Sequence, residues 1–566
     1  MLYCGIKFTH DGAVALIDDH KLVFCVEMEK LNNNPRFTSI EDTADVSGIL
    51  AEYGYKPENI DVFAVDGWGG TDQDALALQP RLEIGDDRNR LAVKDNGREF
   101  KLDVAAYREN TLADDVLAER RFTGLLMGGR RFEYSSFLHA TGHIMGAYCS
   151  SPFARKREDA YVLVWDGGMY PRLYYINPTG PTIENLGPIF LLIGNIYTIF
   201  SQHFGPFKVQ GSFAKDNLSV AGKVMAYIAL GQPRQDLLPH FEEIYRTKYD
   251  APMGFANVLA NEFKRRVAGN GYSDEDILAS FHVYLENMLL EKLAKKIKRS
   301  GARSANLCIS GGCGLNIKWN SAIRNSGMFK QVYVPPFPND SGSALGMACA
   351  AMAVKSGDSG LDWSVYSGPV HKDIAPSAGW RKKDCSIQEL AALLHNGGEP
   401  VVVVNGCAEL GPRALGNRSI LAPAVSATMK ELLNVAKQRE DYRPVSPICL
   451  EHRAEEIFDP GTPDPFMLFD HQVRPNWLEK ISAVVHLDGT ARLQTVNASE
   501  NPTIAELLTE YEALSGIPLL CNTSANYKGS GFFPDARSAA EWDKLNYIWC
   551  SGVLYERETK LDLTTA

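Results

Sequence analysis

The chain has 566 residues, with 45% apolar and 22% charged side chains and a formal net charge of -11. At about 100–200 residues per domain, that length has room for more than one core. The acidic balance speaks against general nucleic-acid binding, which needs a basic footprint, and leaves open a local basic pocket for an anionic substrate.

Met1-Leu2-Tyr3-Cys4-Gly5 lacks a basic leader and a long apolar run, and no stretch reaches the roughly 18 apolar residues that span a bilayer. A cytoplasmic protein without a membrane partner is expected. Leu2 to Ile6, Ala13 to Ile17 and Leu22 to Val26 read as three strands, broken by Thr9-His10-Asp11-Gly12 and by Asp18-Asp19-His20-Lys21. A helix over Glu41 to Tyr53 and a strand over Ile60 to Val65 follow. Residues 70–125 are polar and irregular, and the sequence places no element there. Ser136 to His143 reads as a helix.

Tyr161 to Trp165 and Leu173 to Ile176 read as strands around the tight loop Asp166-Gly167-Gly168. This repeats the strand–acidic loop–strand theme of the N-terminus and predicts a topological duplication, as in actin-like nucleotide-binding folds. Ile277 to Lys298 has helical apolar spacing and a basic end. Strands are expected at Leu307 to Ser310 and Val332 to Val334, and Ser356 to Gly368 carries the composition of a domain boundary. A second α/β domain then has strands at Pro400 to Val404, Ile481 to His486, Arg492 to Val496 and Pro518 to Cys521, and helices at Ile387 to His395, Ala427 to Val435 and Ala536 to Trp542. The 11 cysteines show no framework spacing and read as reduced core residues.

Several clusters carry chemistry. His139 and His143 stand four residues apart on one predicted helical face, within reach of a single metal ion. Asp340, in a loop just after a strand, is the candidate third ligand, although His-x-x-x-His also occurs as an ordinary surface pair. Gly311-Gly312, in the run Ser310 to Asn316, and Asp340 to Gly346 are Gly-rich turns between a strand and a helix, suited to a phosphate or to a plain tight turn. Arg413, Arg418, Lys437, Arg439 and Arg443, followed by His486 and Arg492, form a basic run whose guanidinium forks suit phosphate oxygens, with a solvated helix face as the alternative for residues 437–443. His10, at the first strand–loop corner, is a candidate general base or a structural histidine.

Taken together, Glu409-Leu410-Gly411-Pro412-Arg413-Ala414-Leu415-Gly416-Asn417-Arg418-Ser419-Ile420-Leu421, Arg443-Pro444, His486 to Arg492 and Asn522-Thr523-Ser524 resemble the O-carbamoyltransferases of antibiotic and nodulation-factor biosynthesis, including the tobramycin and cephamycin enzymes. His10 to Ala13, Gly222 to Met225 and Pro336 to Gly346 fit the same pattern. The resemblance implies an α/β chain with an ASKHA-type duplicated domain over residues 1–360, followed by a smaller α/β carbamoyl-adenylate-forming domain over residues 361–566. It implies iron, or another divalent metal, at His139, His143 and Asp340. It implies ATP, with magnesium, near Asp166, Gly167, Gly168, Gly311, Gly312 and Asn316. Carbamoyl phosphate and its adenylate would be held by Arg413, Arg418, Lys437, Arg443, His486, Arg492, Asn522, Thr523, Ser524 and Lys528. His10 and Arg36 are the expected catalytic residues, and the acceptor is a hydroxyl of a small molecule. A homodimer is compatible with this reading. Two other readings stand beside it: carbamoylation of a tRNA nucleoside, and a non-catalytic nucleotide- or metal-binding regulator. The chain departs from the family at Ala525 to Gly531, where Lys528 stands for the usual Arg, and around Arg36, which replaces the usual Lys.

Overall fold

The computed structural model describes residues 1–67, 88–106, 111–112, 114–178, 182–209, 217–250 and 252–561. The chain forms two compact units. One comprises Met1–Val23 with Ser39–Trp363, the other Phe24–Thr38 with Ser364–Ala566. Residues 24–38, which the sequence reading leaves in the first domain, thus pack with the second unit. The backbone N–H of Cys25 donates to the carbonyl of Ser367, and that of Gly531 to Asn34.

From the N-terminus, β1 (Leu2–Lys7), β2 (Ala13–Asp18), β3 (Lys21–Glu27, whose residues from Phe24 on belong to the second unit) and β4 (Val62–Asp66) are joined by β5 (Arg88–Asp95), β6 (Arg98–Ala105), β7 (Arg120–Met127) and β8 (Arg130–Phe137). Six of them form a sheet in the order β3-β2-β1-β4-β8-β7. β1 runs antiparallel to β2 and parallel to β4, and β4 runs parallel to β8. A second sheet contains β9 (Ala160–Val164), β10 (Arg172–Asn177), β11 (Thr182–Pro188), β12 (Asn306–Ser310) and β13 (Gln331–Tyr333), in the order β11-β10-β9-β12-β13. Again the opening strand pairs antiparallel with the next and parallel with a later one. The same strand pattern therefore occurs twice. β9 and β12 are buried at every residue, as parallel strands covered on both faces must be.

Two of the unit's helices carry the features that matter most. His139–Ser150 is buried at all its residues, and Ser343–Ser356 from Ser343 to Ala353. They cross at Gly142 and Gly346, where a Cβ on Gly346 would lie 2.0 Å from the Gly142 carbonyl oxygen. Gly346→Ala is therefore expected to destabilise the protein by about 3 kcal/mol or more, read as a lower denaturant midpoint. A midpoint equal to that of the wild type would contradict this packing. Ser273 caps the long helix Asp274–Arg299 by accepting from Asp276 N at 3.1 Å.

In the second unit, β14 (Trp380–Asp384), β15 (Val401–Val404), β16 (Arg418–Ala422), β17 (Ser446–Leu450), β18 (Phe458–Asp459), β19 (His471–Val473), β20 (Thr490–Ala491), β21 (Gln494–Val496), β22 (Leu519–Ser524), β23 (Tyr547–Cys550) and β24 (Val553–Arg557) follow in order. Eight make a mixed sheet, β14-β24-β23-β15-β16-β22-β17-β21. Alternation along β15 sends Val401 and Val403 into a core shared with the helices Ile387–Ala392 and Pro502–Ser515. Val402 and Val404 enter the core shared with Ala427–Ala436 and Ala536–Trp542. Helices thus cover both faces.

The structure departs from the sequence expectation in several places. The expected strand over residues 481–486 is instead a short 3₁₀ turn, Ser482–Val484, whose flanking and internal residues Ile481, Ala483 and Val484 bury into a core. Within 70–125, β5 and β6 form a hairpin and β7 joins the first sheet, while residues 70–87, 107–110 and 113 lie outside the described residues. The histidine helix starts at His139, because Ser136 and Phe137 still belong to β8. Among the described residues no helix is long and apolar enough to cross a membrane.

Candidate active site

In the first unit the strand ends converge on a buried polar cluster. Asp340 opens the short turn that leads into Ser343–Ser356, and His139 and His143 rise from the helix packed against it. Asp340 Oδ1 lies 3.3 Å from His139 Nε2 and 3.4 Å from His143 Nε2. Ligand atoms of His139, His143, Asp166 and Asp340 all fall within 4.8 Å of one another. His143 Nε2 is buried without a hydrogen-bond partner among the described residues, a costly condition for a polar atom unless something binds there. Two imidazole nitrogens and a carboxylate oxygen are a donor set for a divalent metal.

Behind these groups, His139 Nδ1 lies 2.9 and 3.1 Å from the two oxygens of Asp66. Lys7 Nζ is 3.0 Å from Asp66 Oδ2 and 3.0 Å from Asp340 Oδ2. Burial works against the charged His139 ring, but Asp66 and Asp340 outweigh it and push it up to about 10. Burial likewise opposes the Asp66 carboxylate, yet His139 and Lys7 pull it down to about 2. Despite burial, Lys7 and His139 also hold Asp340 well below the usual carboxylate range. His10 is 24% exposed, more open than its buried neighbours. Its Nδ1 meets Asp11 Oδ2 at 3.0 Å and its Nε2 faces Asp340 Oδ2 at 3.5 Å.

Beside this cluster the loops after β9 and β12 lie together. Cys313 N donates to the Trp165 carbonyl at 3.0 Å, and Gly312 N donates to Asp166 Oδ1 at 2.6 Å. Gly311 has φ 86°, and a Cβ there would sit 2.4 Å from the Trp165 carbonyl oxygen. Only glycine permits this approach. A crevice at the carboxyl ends of neighbouring parallel strands is where α/β sheets take ligands.

The second unit gathers cations. Arg413 is half-buried, and desolvation together with Arg492, Arg36 and Arg443 lowers it well below its ordinary value. Burial, Arg443 and Arg492 lower Arg439 to about 9, and burial and Arg443 lower Arg492 to about 10. Arginine keeps its proton in proteins, so these shifts register first the cost of burying the charges and then their mutual repulsion. The Nε atoms of Arg413 and Arg439 are buried without hydrogen-bond partners among the described residues. Glu440, 3.6 Å from Arg443, and Asp464 offset only part of the charge. Such a set of guanidinium groups has the chemistry to hold an anion.

Its frame is set by Glu409, fully buried, whose Oε1 accepts from the backbone N–H of Leu415, Asn417 and Arg418 at 2.6, 2.8 and 3.1 Å. Glu27 Oε1 accepts from Gly411 N at 2.7 Å, and Lys30 Nζ donates to the Gly411 carbonyl at 2.8 Å. These bonds fold the run that presents Arg413.

Residues 2–349 match the family model described as the carbamoyltransferase N-terminus, and residues 391–557 match the carbamoyltransferase C-terminus. The chain belongs to the carbamoyltransferase family and is a carbamoyltransferase enzyme. It is 48% identical over 580 residues to nodulation protein U of Rhizobium tropici, covering 100% of this chain and 97% of that one. It is 34% identical over 543 residues to 3'-hydroxymethylcephem-O-carbamoyltransferase of Amycolatopsis lactamdurans, covering 94% of each. The activator of 2-hydroxyisocaproyl-CoA dehydratase from Clostridium difficile, solved with bound ADPNP, aligns at 12% identity with a TM-score of 0.32, over 63% of this chain and 98% of that one.

Within this carbamoyltransferase the residues named from sequence fall into different roles. His139, His143, Asp340 and His10 meet in the first unit. Asp166, Gly167, Gly168, Gly311 and Gly312 form the adjoining loops, and Asp166 also borders the histidines, 3.9 Å from His143 Nε2. Asn316 caps the helix after that loop: its Oδ1 accepts from Lys318 N and Trp319 N, each at 3.2 Å. Arg36, grouped with His10 by sequence, is held in the second unit, where its N–H donates to the Gly529 carbonyl at 2.9 Å and its charge repels Arg413.

Arg418 is 1% exposed and donates to the carbonyls of Asn405, Asn417, Gly406 and Pro369 at 2.6, 3.0, 3.0 and 3.3 Å, so its guanidinium is spent on the backbone rather than offered to an anion. Lys437 Nζ is similarly committed to the carbonyls of Ser524 and Asn526 at 2.7 and 2.8 Å and braces that loop. His486 Nε2 accepts from Arg492 N at 3.3 Å, which makes it a support for Arg492. Asn522 Nδ2 donates to the Ala414 carbonyl at 3.0 Å, while its Oδ1 is buried without a partner among the described residues. Thr523 is buried, Ser524 Oγ donates to Asn526 Oδ1 at 2.7 Å, and Lys528 is exposed. Sequence reasoning missed Lys7, Asp66 and the framing role of Glu409.

Proposed function

We propose that this enzyme is an ATP-dependent O-carbamoyltransferase with two chemical centres. The second unit takes carbamoyl phosphate and ATP and makes carbamoyl adenylate. Atoms balance if one water is taken up: the donor loses inorganic phosphate, the remaining carbamate attacks the α-phosphate, and pyrophosphate leaves. Arg413, Arg439, Arg443 and Arg492 hold the anionic donor and the developing charge. The observation that carries this reading is the pair of buried Nε atoms on Arg413 and Arg439, without hydrogen-bond partners among the described residues, amid mutually repelling cations.

The first unit is read as an ASKHA-type fold, on its repeated strand pattern. His139, His143 and Asp340 would hold iron(II) or another divalent metal, and the loops at Asp166 and Gly311-Gly312 would hold a nucleotide with magnesium. The metal, when bound, supplies Lewis-acid polarisation of the carbamoyl carbonyl. His10, partly exposed and aimed by Asp11, takes the proton from the acceptor hydroxyl, and AMP leaves with the proton balance restored to solvent. The acceptor is a small-molecule alcohol, as the name of the cephem relative states for that enzyme. A cytosolic setting fits the 11 free cysteines.

Incubation with isotopically labelled carbamoyl phosphate, ATP and ferrous iron, with a panel of sugar, aminocyclitol and hydroxymethyl alcohols, tests the reading. The expected product is an O-carbamate formed with one pyrophosphate per carbamoyl group. Label transfer without ATP, or with ADP as the nucleotide product, would refute the adenylate route.

A further inference from the structure

We infer that Asp66 is a positioning residue of the metal centre, fixing the tautomer and ring orientation of His139, and that Lys7 holds Asp66 in place. The inference rests on the reading of His139, His143 and Asp340 as metal ligands.

The parallel register of β1 and β4 sets Ile6 beside Val65. Lys7 and Asp66 follow as the last residues of the two strands, so both side chains emerge where the sheet gives way to the cluster. Lys7 is 0% exposed and Asp66 1%. A carboxylate only accepts, and both Asp66 oxygens lie against His139 Nδ1 at 3.1 and 2.9 Å. The ring must therefore present N–H at Nδ1, and the lone pair needed by a metal falls on Nε2, the atom that faces Asp340. Lys7 completes the arrangement. It draws Asp66 Oδ2 and Asp340 Oδ2 to 3.0 Å each, and it donates to Thr9 Oγ1 at 3.1 Å. With Oδ2 of Asp340 so engaged, Oδ1 is the oxygen left toward the two imidazoles. A buried ion triad is a costly way to stabilise a core. Here its geometry dictates which atoms of His139 and Asp340 face the metal.

The test is anaerobic titration of metal-free protein with ferrous iron, and with cobalt(II) as a spectroscopic probe, in the wild type, Asp66→Asn and His143→Ala. Asp66→Asn keeps the shape of the side chain and is expected to weaken binding roughly 10–100-fold, with the cobalt bands displaced. Wild-type affinity and an unchanged spectrum in Asp66→Asn would overturn the inference while leaving the metal site standing. Absence of metal uptake by the wild type would overturn both. A measurement that needs no variant is nitrogen-15 NMR of the histidine rings in zinc-loaded wild-type protein. It should show His139 protonated at Nδ1 and metal-bound at Nε2, and the opposite tautomer would refute the assignment.

Discussion

Arg492→Leu is expected to lower carbamoyl-phosphate-dependent pyrophosphate release by roughly 10²–10³-fold. The side chain is anchored at both ends of its reach: Nε donates to Ser446 Oγ at 2.9 Å, and the backbone N–H donates to His486 Nε2 at 3.3 Å. Its charge is thereby held near Arg413 and Arg439, where burial and mutual repulsion disfavour the bare cations and a bound anion would offset both. Leucine removes the fork and keeps the apolar stem. The same logic makes the donor a stabiliser of the folded protein, worth about 2.7 kcal/mol at a hundred times its dissociation constant. Thermal unfolding of the wild type should therefore rise with added carbamoyl phosphate, and most of that rise should vanish in Arg492→Leu. A variant that keeps both the release and the thermal shift would place the donor elsewhere.

His143→Ala is expected to empty the first centre. Among the described residues His143 Nε2 has no hydrogen-bond partner to lose, so removing the ring leaves the Lys7–Asp66–His139 network in place. The ring also packs edge-to-face on His139, with centroids 4.8 Å apart. With a metal worth about 4 kcal/mol to carbamoyl transfer, the loss is ~10³-fold. Metal analysis should show a metal on the wild type and none retained by the variant, and transfer to an alcohol should fall with it. Full metal content and full transfer in His143→Ala would remove this histidine from the ligand set.

How far the sequence reveals these features depends on whether the signal is local. Strands β1, β2 and β9 are legible within a residue or so, because short apolar runs end at turn-forming residues. The hairpin of β5 and β6 escapes that reading although Asn96-Gly97, both with positive φ, is a strong turn signal, because charged residues dilute the alternation around it. Residues 481–486 mislead in the opposite way, since an apolar run does not reveal whether it pairs or only packs. In the sites, four-residue spacing is enough to put His139 and His143 on one face. Lys7 and Asp66 give no such sign, since their meeting depends on the parallel register of strands far apart in sequence. Arg413 and Arg418 look alike in the sequence. The Glu409-centred loop turns one into the cation cluster and the other onto backbone carbonyls, which no linear motif records.

The central claim is that one chain runs two separable half-reactions, adenylate formation at the cation cluster and carbamoyl transfer at the histidine–aspartate cluster. The most direct test is exchange of labelled pyrophosphate into ATP, dependent on carbamoyl phosphate and without any acceptor, in wild type, Arg492→Leu and His143→Ala. The account predicts exchange in the wild type and in His143→Ala and its loss in Arg492→Leu. Exchange that survives in Arg492→Leu, or disappears equally in both variants, would contradict it.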